Sequence, residues 1–202
     1  INVAIRDGSF AKNEILLKAI RFAKENKKPL HLLGLVSDGG VHSHISHLKA
    51  IIDLSKKEKL TDVFIHAFTD GRDCDPKSGL NFIKDLQLHL NAAGVGKIAT
   101  VSGRYYAMDR DKRWERVKLA YDAMANGTGE KTTDAIAAVE NTYSNNITDE
   151  FIKPTVILDE GQQPLTTINT GDVALCFNFR TDRCREITEV LTQTDKPEFA
   201  MK

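Results

Sequence analysis

The chain has 202 residues, 41% of them hydrophobic, enough to bury a core in one large domain or two small ones, and its 28 Lys plus Arg balance 28 Asp plus Glu. That balance supplies no overall field to draw in nucleic acid or an acidic membrane, and no apolar run approaches the roughly 18 residues of a membrane span. Three cysteines, Cys74, Cys176 and Cys184, are an odd number without a Cys-x-x-Cys pair, which argues against a disulfide framework or a structural zinc site and fits a reducing cytoplasm.

Residues 13–26 place Ile15, Leu16, Ala19, Ile20 and Ala23 at the 3.6-residue spacing of an amphipathic helix, ended by Pro29. Residues 30–36 are an apolar run of strand length, followed by the turn Ser37-Asp38-Gly39-Gly40 and a helix from near Ser43. The same grammar returns twice. Residues 62–69 read as a strand, 70–76 as its loop and 77–93 as a helix with Leu80, Ile83, Leu86 and Leu90 on one face. Residues 97–102 read as a third strand, then Gly103-Arg104-Tyr105-Tyr106, then a helix through Trp114, Val117, Leu119 and Tyr121.

Beyond Asn126 the pattern weakens to a helix near 133–142 and short strands at 155–158 and 165–168. The last clear unit is a strand over 173–179, the loop Arg180-Thr181-Asp182-Arg183, and a helix carrying Ile187, Val190 and Leu191. Alternating strands and helices predict a three-layer α/β/α fold with a mainly parallel or mixed sheet. No signal peptide opens the chain. Ile1 stands where a start methionine would, so the sequence is expected to be a piece of something longer.

Polar or charged residues stand where each of four strands stops, and open α/β sheets bind ligands outside the carboxyl ends of their strands. His42, Arg72, Asp73, Arg104, Arg110, Arg180 and Arg183 are therefore expected to converge on one cleft. A guanidinium pairs two-pronged with phosphate or carboxylate, so the recurrence of arginine points to an anion, most naturally a phosphate. The competing reading pairs each arginine with a neighbouring aspartate, Arg72 with Asp73 and Arg183 with Asp182.

The spacing of His42, His44 and His47 could hold zinc, but Ser46 stands where zinc hydrolases of that pattern carry Asp, and no further ligand set follows. His44 and His47 are read as ordinary helix-face residues, and His42, in the Gly-rich turn, as a donor to the anion. Asp73, beside Arg72, is the candidate for acid-base work, although Asp70, Asp73 or Asp75 could each simply cap the next helix. Nothing near Cys74 in the sequence supplies the His partner of a catalytic thiol.

Four stretches carry a family resemblance: 33–44, containing Ser37-Asp38-Gly39-Gly40-Val41-His42-Ser43-His44; 66–73, ending Asp70-Gly71-Arg72-Asp73; 102–111, containing Ser102-Gly103-Arg104-Tyr105-Tyr106-Ala107-Met108-Asp109-Arg110; and Phe177-Asn178-Phe179-Arg180-Thr181-Asp182-Arg183. In order and content they resemble the cofactor-independent phosphoglycerate mutases, over the substrate-binding, or phosphotransferase, domain alone. The resemblance implies substrate binding by His42, Arg72, Asp73, Arg104, Arg110, Arg180 and Arg183, with Asp73 catalytic. It implies 3-phosphoglycerate and 2-phosphoglycerate as substrates, exchanged through a phosphoserine on a second, phosphatase-like domain that holds two manganese ions. No cofactor or metal is expected in this chain, and that domain of the same protein is its expected partner. Residues 1–10 and 195–202 are then the hinges and 11–194 the domain. By itself the chain is expected to be inactive. Two other classes compete with this reading, a non-catalytic module that senses a phosphorylated metabolite and, less favoured, the zinc hydrolase.

Overall fold

The structure is a computed structural model that describes residues 1–201. A six-stranded sheet runs in the order β4-β5-β3-β2-β1-β6. Its strands are β1 (Leu30–Leu35), β2 (Val63–Thr69), β3 (Lys97–Gly103), β4 (Glu130–Thr132), β5 (Thr155–Ile157) and β6 (Val173–Cys176). β6, β1, β2 and β3 run parallel, β5 is antiparallel to β3, and β4 is parallel to β5. The sheet is mixed, as expected.

All of β1 is buried, which is why its sequence is an unbroken apolar run rather than an alternation: helices cover both faces of a parallel sheet. On one face lie α2 (Glu14–Glu25), α3 (Ile45–Lys57), α4 (Gly79–Ala93) and α7 (Ala135–Ser144), whose Ile20, Leu48, Ile52, Leu86 and Val139 share a core with Leu32 and Ile65. On the other lie α5 (Arg104–Ala107), α6 (Trp114–Ala125) and α8 (Arg185–Thr192), where Val117, Met124, Ile187 and Val190 pack with Leu33 and Phe68. A short α1 (Asn2–Arg6) rests on α3, held by a 2.7 Å hydrogen bond between His47 Nε2 and Asn2 Oδ1.

Asn13 caps α2 by accepting from the amides of Ile15 and Leu16, and Asp134 caps α7 in the same way. Gly94, at φ +70°, closes α4 in the left-handed conformation that glycine adopts without strain.

Three expectations from the sequence change. Residues 165–168 form no strand: Pro164 bridges Leu158, Leu165 N donates once to Ile157, and Ile168 N donates to Met124 O at the end of α6. A segment whose amides go to a helix end cannot build a ladder. The last strand stops at Cys176 rather than 179, because the side chain of Asn178 replaces the ladder, its Oδ1 accepting from Leu35 N at 2.9 Å. Residues 104–107, read as loop, make one turn of helix with Met108 N donating to Arg104 O.

Two histidines lie fully buried in the sheet interior. His31 Nδ1 and His66 Nε2 are 3.0 Å apart, His66 Nδ1 meets Thr100 Oγ1 at 3.0 Å, and His31 Nε2 faces Asp172 at 3.4 Å. Burial lowers the pKa of both below the ordinary 6.5, with Asp172 opposing the shift at His31 and the His31 charge adding to it at His66. The unfolded chain therefore takes up protons first. Stability is full above about pH 6.5 and is lost as pH falls through the folded-state values, at up to about 1.4 kcal/mol per pH unit for each group. Urea midpoints should stay level from pH 7.5 to about 6.5 and fall from there to 5.5; a profile level over the whole range would mean that the buried pair accepts its protons without cost.

Candidate functional site

The parallel strands β6, β1, β2 and β3 end at the same edge of the sheet, so the loops that follow them are neighbours in space although they lie up to about 150 positions apart in sequence. At their centre is Arg104, the first residue of α5, only 4% exposed. Its Nη1 donates to Asp70 Oδ1 at 2.7 Å and to Asp73 Oδ2 at 2.6 Å. Asp70 is itself fully engaged: Oδ1 also accepts from the amides of Arg72 and Asp73, and Oδ2 accepts from Ser37 Oγ at 2.7 Å. Burial works against the Asp70 charge, but the Asp73 amide, Ser37 and Arg104 together hold its carboxyl below the usual range. Asp70 thus shapes its own loop and does not cap α4. The amide that opens α4, Gly79 N, donates instead to Asp149 Oδ2 at 2.7 Å. Asp75 accepts from Lys77 N in a local turn ahead of Ser78, and so does not cap α4 as its position suggested.

His42 joins two halves of the cluster. Its side chain is buried, with Nε2 3.7 Å from Asp73 Oδ2 and Nδ1 3.7 Å from Asp182 Oδ1, beyond hydrogen-bond reach of either. Burial lowers its pKa, and Arg104 and Arg180 push the same way against Asp73 and Asp182. Asp182 in turn is shared by Arg110 Nη1 at 2.9 Å and Arg180 Nε at 3.0 Å, while Arg180 N donates to the backbone carbonyl of His42. A chain of contacts therefore runs from Arg104 through Asp73, His42 and Asp182 to Arg110 and Arg180.

The remaining two arginines do not pair with their neighbouring aspartates. Arg72 reaches across to Glu150 at 3.2 Å, and Arg183 donates to the carbonyl of Met108 at 3.3 Å. The Arg183 guanidinium is depressed by burial and then by repulsion from Arg110, Arg104 and Arg72. Like charges from the segments after β2 and β3 are felt at a guanidinium that follows β6. Arg72, Arg110 and Arg180 are each roughly half exposed at the side chain. Their ion pairs are surface pairs worth about 0–1 kcal/mol, so an incoming dianion can displace Asp182 or Glu150 at little expense. The Arg104 pairs with Asp70 and Asp73 are buried and of another kind.

Sequence reasoning missed the floor of the site. Residues 149–152 run beneath the second and third loops. Asp149 is fully buried, accepting from Tyr143 Oη as well as Gly79 N, and its carbonyl takes the Thr69 hydroxyl at 2.7 Å. Two glycines record how closely this floor is packed. A Cβ on Gly71, already at φ +68°, would stand 2.9 Å from Glu150 N, and one on Gly103 would stand 2.3 Å from Glu150 O. Gly71 and Gly103 were visible as loop glycines, and their need for a backbone neighbour was the one available signal.

The histidine trio separates. His44 Nδ1 accepts from Ser46 N and caps α3, His47 bonds Asn2, and His42 faces the aspartates. Among the described residues no group of three or more His, Cys, Asp or Glu is arranged to hold a metal ion, so the donors present do not fit one. Cys74 Sγ is 3.5 Å from Asp38 Oδ1, and burial pushes its thiol up, away from nucleophilic character. No helix among the described residues is long and apolar enough to cross a membrane.

Residues 1–202 match the family described as BPG-independent PGAM N-terminus, iPGM_N. The chain belongs to that family. It is 57% identical over 195 residues to a 2,3-bisphosphoglycerate-independent phosphoglycerate mutase of Flavobacterium johnsoniae, covering 96% of this chain and 38% of that protein. A Clostridium perfringens protein of the same name is 54% identical over 199 residues, covering 98% and 38% respectively. A crystal structure of Leishmania mexicana phosphoglycerate mutase, determined at low cobalt concentration, superposes with a TM-score of 0.90 at 32% identity, over 96% of this chain and 37% of that one. This iPGM_N domain thus spans less than two fifths of the length of the curated relatives it matches.

Proposed function

We propose that this domain is the substrate-binding half of a phosphoglycerate mutase that interconverts 3-phosphoglycerate and 2-phosphoglycerate in the glycolysis and gluconeogenesis of the cytoplasm. The observation that carries this reading is the convergence of Arg104, Arg110 and Arg180 on Asp73, His42 and Asp182 at one edge of the sheet, where the charges of Arg110, Arg104 and Arg72 also depress the Arg183 guanidinium. A multiply charged anion relieves that repulsion, and each charge-assisted hydrogen bond it accepts contributes about 1.5–3 kcal/mol.

In this reading Arg72, Arg110, Arg180 and Arg183 grip phosphate and carboxylate, exchanging their present weak partners for the ligand. Arg104 orients Asp73, and Asp73 accepts a proton from the attacking glycerate hydroxyl. His42, neutral by virtue of burial, donates to the ligand from a ring nitrogen that has no partner of its own at hydrogen-bond distance. The phosphoryl group passes through a phosphoserine on a second domain outside this chain, where two manganese ions are expected. Residues 1–10 and 195–202 would lead to that domain. A bound glycerate must be held until its hydroxyls have exchanged, since its escape would leave a phosphatase; closure of the second domain over the arginines would keep it and exclude water.

Titration of isotope-labelled chain with 3-phosphoglycerate should give saturable amide shifts confined to the loops around His42, Arg72, Arg104 and Arg180, absent with equal sulfate. Shifts no different from the sulfate control would defeat the reading of a preformed substrate cleft. Turnover by this chain alone, in a metal-free preparation, would defeat the division of labour.

A further inference from the structure

Cys176 and Cys184 bracket the loop that carries Arg180, Asp182 and Arg183. Cys176 closes the edge strand β6 and is half-buried, whereas Cys184 is only 3% exposed and stands at the start of α8. Both line one cavity of about 340 Å³, together with Asn178, Thr181 and Thr188. Cys176 packs against the apolar cluster that contains Cys184, and the interaction of the two side chains draws the Cys176 thiol below its usual range and, with burial, raises that of Cys184. Cys176, the more accessible of the two, is the sulfur that an oxidant reaches first. Asn178 ties this pair to the sheet: its Nδ2 donates to Cys184 Sγ at 3.1 Å while its Oδ1 accepts from Leu35 N.

We propose that Cys176 and Cys184 are a reversible oxidation site, at which a hydroperoxide converts the pair into an intramolecular disulfide that reshapes the loop between them. Cys176 thiolate attacks the peroxide oxygen, the O–O bond breaks, and hydroxide leaves with the electron pair to become water, giving a sulfenic acid. Cys184 then attacks that sulfur, the S–O bond breaks, a second water leaves, and the S–S bond forms. Two thiols lose two electrons and two protons, and one hydroperoxide is reduced. In the bridged state the sulfurs close to about 2.05 Å, and Cys184 turns away from Asn178 Nδ2. Asn178 is the link between the end of β1 and this loop, so its loss of an acceptor is transmitted to the contact of Arg180 N with the His42 carbonyl. Cys74 lies in a different loop, against Asp38, and takes no part.

The test needs no assumption about substrate. Hydrogen peroxide added to the 202-residue chain should remove two hydrogen atoms in mass, with unreduced peptide mapping placing the link at Cys176–Cys184 and Cys74 still open to alkylation. Amide resonances of residues 177–183 and of His42 should move on oxidation and return with dithiothreitol, while those of α4 stay. Cys176→Ser and Cys184→Ser should each abolish both effects, and Cys74→Ser neither. Sulfinic acid at Cys176 without a bridge, a link that uses Cys74, or a bridge that leaves residues 177–183 unmoved would each overturn the proposal.

Discussion

Arg104→Met is expected to lower the stability of the chain by about 3–5 kcal/mol, because it strands two carboxylates that one guanidinium now neutralises. The side chains of Arg104 and Asp70 are 3% and 2% exposed, so water cannot take over the role of the missing charge. For a chain of this length that loss corresponds to a fall in melting temperature on the order of 10 °C. The cost is electrostatic rather than volumetric, since methionine fills much of the same space, and two further variants separate the causes. Arg104→Lys keeps the charge, but its shorter side chain carries the ammonium short of the Nη1 position that reaches both Asp70 and Asp73, and it should recover part of the loss. Adding Asp70→Asn to Arg104→Met removes the more deeply buried of the two stranded charges, and the pair should be less destabilising than the sum of the single changes. A melting temperature within about 2 °C of the parent for Arg104→Met would show that the three groups are not coupled as their distances indicate.

The same cluster shows what the sequence could and could not express. The strands β1, β2 and β3 and the helices between them are legible because both faces of a parallel sheet are covered, so that apolar runs and 3.6-residue stripes are unavoidable. β4, with the sequence Glu130-Lys131-Thr132, has no apolar signal at all, because it is a short exposed edge held by backbone pairing to β5. Arg72, Arg104, Arg110, Arg180 and Arg183 were legible as a set because each follows a strand that the pattern reveals.

Their partners were not, for a reason of distance along the chain. Glu150 lies 78 positions from Arg72, and Asp182 lies 72 from Arg110, so adjacency suggested the wrong pairs. Asp149, the anchor beneath two of the loops, lies in a stretch with weak periodicity. Its burial is satisfied by Tyr143, Gly79 and Thr69, none of which marks it in the sequence. Cys176 and Cys184 were hidden differently: counting three cysteines excluded a framework and passed over the two that line one cavity.

On the proposed reading, Asp73→Asn in the full-length enzyme should lower kcat by about 10²–10⁴-fold, the usual contribution of a positioned general base. KM should stay within a few-fold. The geometry explains why the two constants part. Asp73 Oδ2 is committed to Arg104 at 2.6 Å, and its amide is pinned by Asp70 Oδ1, so the side chain is aimed rather than merely present. About a fifth of that side chain remains exposed. Asparagine has nearly the same shape and keeps a carbonyl oxygen for Arg104, so the grip of the other arginines on phosphate and carboxylate survives. What it cannot do is take a proton. A loss confined to kcat is the signature of an interaction made only as the hydroxyl attacks, whereas a rise in KM alone would reassign Asp73 to ligand binding. An unchanged kcat would leave Asp73 as the counterion that holds Arg104 in place, and the base would have to come from another domain.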